Sequence, residues 1–585
     1  MAQTTQNTDV ANTDEMRRPG AKHTAVRVWP VMVITIVYAA VNGLLLRYGT
    51  TNIHSAIALG VAPAIALLLL LIWWFGASRV PWKDRFLGGA LFIAAAVAIT
   101  LGQRTVSLGA MLLASALPFL IYGMLPLVLV TRGLRWSRGR WVLVAGLAVW
   151  TGVFSAVRVD SIGGNLFPVV SWRWQASTME HADTLTRITT QETAQLPEQP
   201  GPGDWTAFRG ANRDGRVEGV RFSTEWSTPP REVWRRDIGS AWSGFILVGG
   251  YLFTQEQRGE EELVTCYHAD TGEPVWSNGI KEKFEDGMGL GPRATPTYSG
   301  GRLYTQGGTG IMQCLDAATG ETLWKRDLRK DALTEVPEWG FSASPLVVEG
   351  LVIVFTAGEE GKGVIAYDCS TGEPAWMSGH GDSGYCSPHL GVLCGTPQVL
   401  MVSNFGIESL DPAGGTRLWE HKWDIQTNPR CTQPIVLNGD SVMFGATGVS
   451  GSRLLRTEYA SGQWQVAEKW TTRKFRPYFN DGAVLHQHYY GFDGERVACL
   501  DVMTGDRVWA GERLSGQMLL LVDMEMLLVL SEVGEVVLIP ATPQAYEVKA
   551  RFKAIEGKTW NHPLVGGGRL FVRNAREAVC YEIAL

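Results

Sequence analysis

A short turn phrase followed by a Trp-bearing strand recurs through the second half of the chain, and it constrains the fold more than any other feature. Strong copies are Asp270-Thr-Gly-Glu-Pro-Val-Trp276, Cys314-Leu-Asp-Ala-Ala-Thr-Gly-Glu-Thr-Leu-Trp324, Tyr367-Asp-Cys-Ser-Thr-Gly-Glu-Pro-Ala-Trp376 and Cys499-Leu-Asp-Val-Met-Thr-Gly-Asp-Arg-Val-Trp509. Weaker copies are Leu410-Asp-Pro-Ala-Gly-Gly-Thr-Arg-Leu-Trp419 and Ala460-Ser-Gly462 leading to Trp470, and a further Trp stands at 234. Successive Trp positions are separated by 42, 48, 52, 43, 51 and 39 residues, the size of one four-stranded propeller blade. The Thr-Gly step reads as a hairpin turn: Gly supplies φ > 0, and the Asp or Thr side chain caps nearby backbone N–H groups. The Trp then lies on the outer strand, where its ring fills the wedge between blades and its N–H needs an acceptor.

A second phrase precedes each turn and predicts the inner strands. Its eight copies begin at Ser243, Ala294, Ala343, Ser387, Thr432, Arg476, Gly516 and Asn561, and six carry Pro, at 296, 345, 388, 434, 477 and 563. Pro is tolerated at the first residue of a strand because its missing N–H need not join the ladder. Alternating runs such as Gly350-Leu-Val-Ile-Val-Phe355 fit buried strands. The last copy has no outer strand, whereas Arg231-Glu-Val-Trp-Arg235 looks like an outer strand without a blade. Circular closure, with that N-terminal strand completing blade eight, removes both exposed edges; seven blades with a loose end is the alternative.

The N-terminal quarter is different in kind. Apolar stretches at Val28–Leu46, Ile53–Ala77, Phe86–Gly102, Val106–Val130 and Trp141–Val157 predict five membrane spans, the third and fifth at the short end of the required length. A re-entrant pair formed by the third and fourth is the alternative. The first 26 residues are polar and show no cleavable signal, so the first span is expected to serve as an uncleaved anchor. Arg17, Arg18, Lys22, Arg27, Arg79, Lys83, Arg85, Arg132, Arg135, Arg138 and Arg140 flank one side of this pattern and only Arg47 and Arg104 the other, a bias of 11 to 2 that predicts a cytoplasmic N-terminus and an extracytoplasmic propeller. No span carries a charged residue at its middle, which disfavours ion or proton transport. The expected domains are a cytoplasmic tail (1–27), a transmembrane domain (28–158), a periplasmic linker (159–203) and a propeller (204–585). The linker ends in Leu196-Pro-Glu-Gln-Pro-Gly-Pro-Gly203 and reads as an extended spacer, with residues around Asn165 to Trp174 alternatively lying along the outer membrane interface.

All 8 cysteines fall in the propeller. Cys266, Cys314 and Cys499 each precede the turn Thr by five residues, with Cys580 in a similar place, so they read as small core side chains too far apart to bridge. Cys386 and Cys394 are the one close pair for which a disulfide is open. No Cys-x-x-Cys, Gly-rich phosphate loop or Gly-x-Ser-x-Gly occurs, and His486 with His488 lacks a nameable third metal ligand. A net charge of -5 without a basic block disfavours nucleic acid.

These turn phrases resemble the tryptophan-docking repeats of pyrroloquinoline quinone (PQQ) domains. The opening Asp204-Trp-Thr-Ala-Phe-Arg-Gly-Ala-Asn-Arg-Asp-Gly215, with Gly291-Pro-Arg-Ala-Thr-Pro296, is similar to that of bacterial PQQ-like repeat proteins. The resemblance covers residues 204–585 and implies an eight-bladed all-β propeller, shared by quinoprotein alcohol and glucose dehydrogenases and by an outer-membrane assembly lipoprotein that only binds protein partners. Membrane glucose dehydrogenase also has five N-terminal spans and reduces ubiquinone. The enzymes hold PQQ with a calcium ion on Glu, Asn or Asp and use a catalytic Asp; no matching set is found here, and the adjacent-cysteine ring of many soluble members is absent.

Residues at or just before the inner-strand starts define an axial funnel: Trp242, Arg293, Trp339, Tyr385, Arg430, Lys474, Arg476, Trp560 and His562. Of these Trp242, Arg293, Arg430, Lys474, Arg476 and Trp560 are the candidate binding residues, suited to a flat anion or an acidic peptide through guanidinium forks and aromatic faces. The leading expectation is a noncatalytic binding or scaffolding module of the cell envelope, an integral inner-membrane protein with an envelope protein or peptide as partner and no assigned cofactor. The alternative is a PQQ- and calcium-dependent dehydrogenase that oxidises an alcohol or sugar and reduces membrane quinone. A sensor is weaker, since no cytoplasmic domain is apparent beyond short loops.

Overall fold

The computed structural model describes residues 26–48, 57–164, 167–185, 188–359, 361–425, 430–448 and 450–583, and the chain divides into two compact units, Met1–Val159 and Asp160–Leu585. Arg17, Arg18, Lys22 and the start of the second apolar stretch at Ile53 lie outside the described residues.

The first unit is helical. Among the described residues three helices are long and apolar enough to cross a membrane: Trp82–Leu101, Val106–Arg132 and Trp136–Ala156. Each of the third and fourth apolar stretches is thus a full helix. Two shorter apolar helices, Trp29–Leu45 and Ala62–Ala77, stand where the first and second spans were expected, so the five full-length spans read from the sequence are corrected to three. The second stretch falls short because it changes winding: π turns at Ile57–Val61 and Trp73–Ala77 flank only 11 residues of α-helix, Ala62–Ile72. The basic segments gather at one end of this unit. Trp73 donates to the Arg27 carbonyl (2.9 Å), Trp136 donates to Asp84 (2.5 Å), and Arg140 stands 3.8 Å from the same carboxylate. Gln103, in the loop between the third and fourth helices, instead meets the peptide groups of Val157 and Val159, where the last helix ends.

The second unit is the propeller, with eight antiparallel blades. The innermost strands of blades one to eight are Ile246–Val248, Thr297–Ser299, Leu346–Val348, His389–Leu393, Ile435–Leu437, Ala483–Leu485, Gln517–Leu521 and Leu564–Gly566. The sixth begins at Ala483 and not beside Arg476. Blade eight is completed by Arg231–Asp237, which pairs antiparallel with the C-terminal strand Glu577–Glu582, so the ring closes on its own N-terminal strand as the phrase count predicts. In blade seven a fifth strand, Arg216–Val217, lies inside Gln517–Leu521 and parallel to it.

The turn phrase does what its residues dictate. Asp316 Oδ1 accepts from the N–H groups of Ala318 (3.0 Å) and Thr319 (2.9 Å), and Asp368 and Asp501 repeat the arrangement. Gly320 follows at φ +74°. The Trp of one blade lies against the turn Gly of the next: a Cβ on Gly320 would sit 2.4 Å from the Trp276 ring, and one on Gly272, Gly372, Gly415 or Gly505 would sit 2.8, 2.6, 2.4 or 2.7 Å from Trp234, Trp324, Trp376 or Trp470. Here Gly is required by both its φ and its contact. Each ring nitrogen then donates to a carbonyl of that neighbouring blade, as Trp276 does to Ala317 (3.2 Å) and Trp324 to Cys369 (3.0 Å). Within its own blade the Trp is the cross-strand partner of Cys266, Cys314, Ala366, Ser409, Cys499 or Cys580, and a bulge follows at once. The repeated cysteine is therefore the small side chain over which the Trp passes. All eight cysteines are free, Cys386 and Cys394 included.

Candidate binding site at the propeller axis

The inner-strand phrases meet around the axis as a ring of hydrogen bonds between blades. Asn561 donates to the Ser243 carbonyl (2.7 Å), Gly244 N to Thr295 Oγ1 (3.0 Å), Thr295 N to Ser344 Oγ (2.9 Å) and Ser344 N to Ser387 Oγ (2.8 Å). The Gln433 amide matches the Ser387 peptide group at 3.1 and 3.2 Å, Gln433 N donates to Asp481 (2.7 Å), and Asn480 donates to the Gly516 carbonyl (2.5 Å). Short polar side chains at these positions satisfy backbone groups that no ladder can reach.

The opening segment runs through this ring. Trp205 exchanges backbone bonds with Leu247 of blade one and donates its ring N–H to Val565 of blade eight. The Thr206 carbonyl accepts from Tyr298 of blade two. Arg213 donates to the Ser344 and Pro345 carbonyls of blade three, Arg209 to Gly482 and Arg216 to Val484 of blade six. Arg209 and Arg213 are buried at φ +62° and +58°, backbone strain that the surrounding carbonyls must offset. Burial lowers the Arg213 pKa to about 10, with Arg209 adding to that, so it remains charged.

Above this plug lies a cavity of about 180 Å³ lined by Phe208, Trp242, Arg293, Trp339, Tyr385, Tyr478, Phe479, Asp481, Trp560 and His562, among others. Rings dominate: Trp242 and Trp560 stand 5.1 Å apart, Trp560 and Phe479 5.0 Å, Trp339 and Tyr385 5.0 Å. Arg293 pairs with Asp286 (2.7 Å) and donates to the Trp339 carbonyl (2.7 Å). Lys558 holds its ammonium over the faces of Trp560 (4.0 Å) and Trp242 (4.8 Å) and donates to the carbonyls of Met288 (2.7 Å) and Ile162 (2.9 Å). Burial pulls its pKa down to about 7; Glu532 and Asp286 oppose the shift and Arg293 adds to it. Burial also holds His562 well below its usual range, so its 3.9 Å approach to Asp481 is not an ion pair. The ring nitrogens Trp242 Nε1 and His562 Nε2 are buried without a partner, so the indole N–H is open to an acceptor and the neutral imidazole to a polar group.

The structure therefore brings together Trp242, Arg293 and Trp560 of the six candidate residues, with Trp339, Tyr385 and His562 beside them. Arg430 is buried away from the cavity, bonded to the Ile425 carbonyl (2.9 Å) and to Ser383. Lys474 is exposed and paired with Asp506 (3.1 Å), and Arg476 faces Asp493 (3.8 Å); both sit at the approach to blade six, where the inner strand starts later than the Pro477 phrase suggests. Sequence reasoning missed Phe208, Phe479, Lys558 and the plug arginines. Lys558 was within reach, standing two residues before Trp560 and so on its side of an extended chain.

The donor set of a calcium-held quinone does not fit. Among the described residues no three His, Cys, Asp or Glu side chains converge to hold a metal. Asp286 Oδ1 is taken up by Arg293 and the Met288 and Gly289 N–H groups while its Oδ2 is buried without a partner, Glu532 accepts from Gly164 N (2.6 Å) and Trp560 (2.9 Å), and Asp481 accepts from Gln433 N.

Fold and site together define an eight-bladed propeller whose own opening segment crosses its axis, preceded in sequence by a unit of apolar helices. A family model described as outer membrane protein assembly factor BamB matches residues 260–511. Among solved structures, BamB from Moraxella catarrhalis is 16% identical over 60% of this chain and 100% of that chain (TM-score 0.45). The quinohemoprotein alcohol dehydrogenase of Comamonas testosteroni is 13% identical over 67% and 81% (TM-score 0.48). Both likenesses concern the fold alone. No curated protein matches the chain.

Proposed function

We propose that this chain is a noncatalytic binding or scaffolding module of the bacterial envelope, a propeller held at the outer face of the inner membrane by its helical unit. The observation that carries the reading is the occupied axis: the chain's own Arg209–Arg213 segment fills the ring where a cofactor would need room. The family model described as an outer-membrane assembly factor supports the same reading. The basic ends of the helical unit lie in the cytoplasm, as the 11 to 2 bias requires. The partner is an envelope protein or peptide, and the residual cavity with its free Trp242 and His562 nitrogens is the place for one side chain or small polar group.

The test is to titrate the purified protein with PQQ and calcium, following cofactor absorbance and dye reduction with a panel of alcohols and sugars. No saturable binding and no reduction are expected. Cofactor-dependent dye reduction would replace this reading with that of a dehydrogenase.

A further inference from the structure

The helix Trp136–Ala156 runs directly into a two-stranded hairpin, Val157–Ile162 and Pro168–Trp172. Its closed end is bound into the propeller: Ile162 N donates to the Gly287 carbonyl (2.9 Å), the Ile162 carbonyl accepts from Lys558, and Gly164 N donates to Glu532. Its other strand end is the reverse. Val170, Trp172 and Trp174 are 52%, 41% and 72% exposed, and the two indoles stack at 4.8 Å with an 8° interplanar angle. Gln175 fixes this corner, accepting from Trp172 N (3.1 Å) and donating its own N–H to the Trp172 carbonyl (2.9 Å). A capping box at Ser177 then starts the helix Thr178–Thr184, whose His181 meets the Arg576 carbonyl of blade eight at 3.1 Å. The aromatic corner is thus held rigid from both sides, with the rings left in the open.

We propose that Val170, Trp172 and Trp174 form a membrane-interface anchor that seats in the lipid headgroup layer. The inference rests on the reading of the helical unit as membrane-spanning. Covalent continuity favours lipid over a protein partner: the rings stand at the open end of a hairpin whose first strand begins one residue after a helix fit to cross a bilayer. Indole is the side chain most at home at headgroup level, since its ring prefers the apolar boundary while its N–H keeps a polar partner. Pre-stacked rings also lose little conformational freedom on insertion.

The full chain and its Trp172→Ser/Trp174→Ser variant are reconstituted in vesicles of phosphatidylethanolamine and phosphatidylglycerol. Flotation on a density gradient is measured first, then Trp fluorescence quenching by lipids brominated at shallow and deep acyl positions. Both proteins are expected to float and to melt alike, and the variant is expected to lose the fluorescence component that the shallow quencher reaches. Equal shallow quenching of the two proteins overturns the anchor while leaving the membrane reading intact. So does a component that acrylamide from the aqueous phase quenches freely, or one that neither quencher reaches, which would place a protein or a second copy on the rings. If neither protein floats, the membrane reading falls and the anchor with it. Trp174→Tyr, which keeps an interfacial ring, is expected to retain flotation and thermal stability, so loss of the component in the double variant is not a folding defect.

Discussion

The seam between blades one and two and the seam between blades four and five are built to the same plan and finished differently. In the first, Trp276 is fully buried, lies on Gly320 and donates to the Ala317 carbonyl of the next blade. In the second, the corresponding Trp419 turns its N–H to Gln398 within its own blade (2.7 Å), and Gly462, the turn glycine of blade five, has nothing within 4 Å of its Cβ direction. The ten-residue strands Gly451–Ala460 and Gln463–Thr472 carry that turn beyond the reach of the indole, and Trp464 packs there instead. Across this seam the axial ring is bridged by the Gln433 amide, where the seams on either side use Ser387 and Asp481. A docked Trp is a lock that a propeller can omit at some seams, blade seven's outer strand Ala550–Lys553 having none, provided the ring is closed elsewhere.

The largest expected effect comes from breaking the regular lock. Trp276→Ala is expected to cost about 3–5 kcal/mol, the range for deleting a large buried aromatic side chain, read as a drop in thermal or denaturant midpoint. A loss below about 1 kcal/mol would mean that the seams are redundant. Gly320→Ala follows at about 2–3 kcal/mol, combining a left-handed backbone with a ring at 2.4 Å. Gly462→Ala has the same backbone strain at φ +78° and open space, so about 1 kcal/mol is expected. Equal losses at the two glycines would show that backbone alone sets the cost and that docking adds nothing.

Charge gives a pH test at two blade boundaries, Glu262 facing Gly308 and Glu408 facing the His380 N–H that leads into its own blade. Burial raises the pKa of Glu262, whose carboxyl faces the Gly308 N–H of the next blade, and of Glu408 to about 7 each, above the ordinary 4.5. Between those values the folded state binds more protons than the unfolded one, so stability is fully present below pH 4.5 from these two groups and falls as pH rises toward 7. Glu262→Gln/Glu408→Gln is expected to flatten that slope in a pH series of melting temperatures, and an unchanged slope would show that the two carboxylates are not its source.

The seams explain what could be read in advance. Turn Gly, Trp and strand Pro are local requirements of φ, ring size and missing N–H, and each leaves its mark at a fixed spacing. Blade number and closure by Arg231–Asp237 followed from them. The site was legible only where a residue lies next to an inner strand that starts where its phrase says, as at Trp242, Arg293 and Trp560. Lys474 and Arg476 were misplaced because Asp506 and Asp493, their partners, belong to blade six, and nothing in the local pattern of residues 474–476 announces a carboxylate some twenty or thirty positions later. The plug was illegible for a similar reason: Arg209 and Arg213 hold backbone carbonyls, which carry no residue identity.

That plug also sets an order of assembly. Residues 204–217 bond to blades one, two, three, six, seven and eight, while the strand that shuts the ring follows them at Arg231–Asp237 and finds its mate only at Glu577–Glu582. The segment is threaded like an axle through a wheel built around it. Its amide hydrogens should therefore exchange only when the whole wheel springs open, among the slowest in the protein, although they belong to a loop.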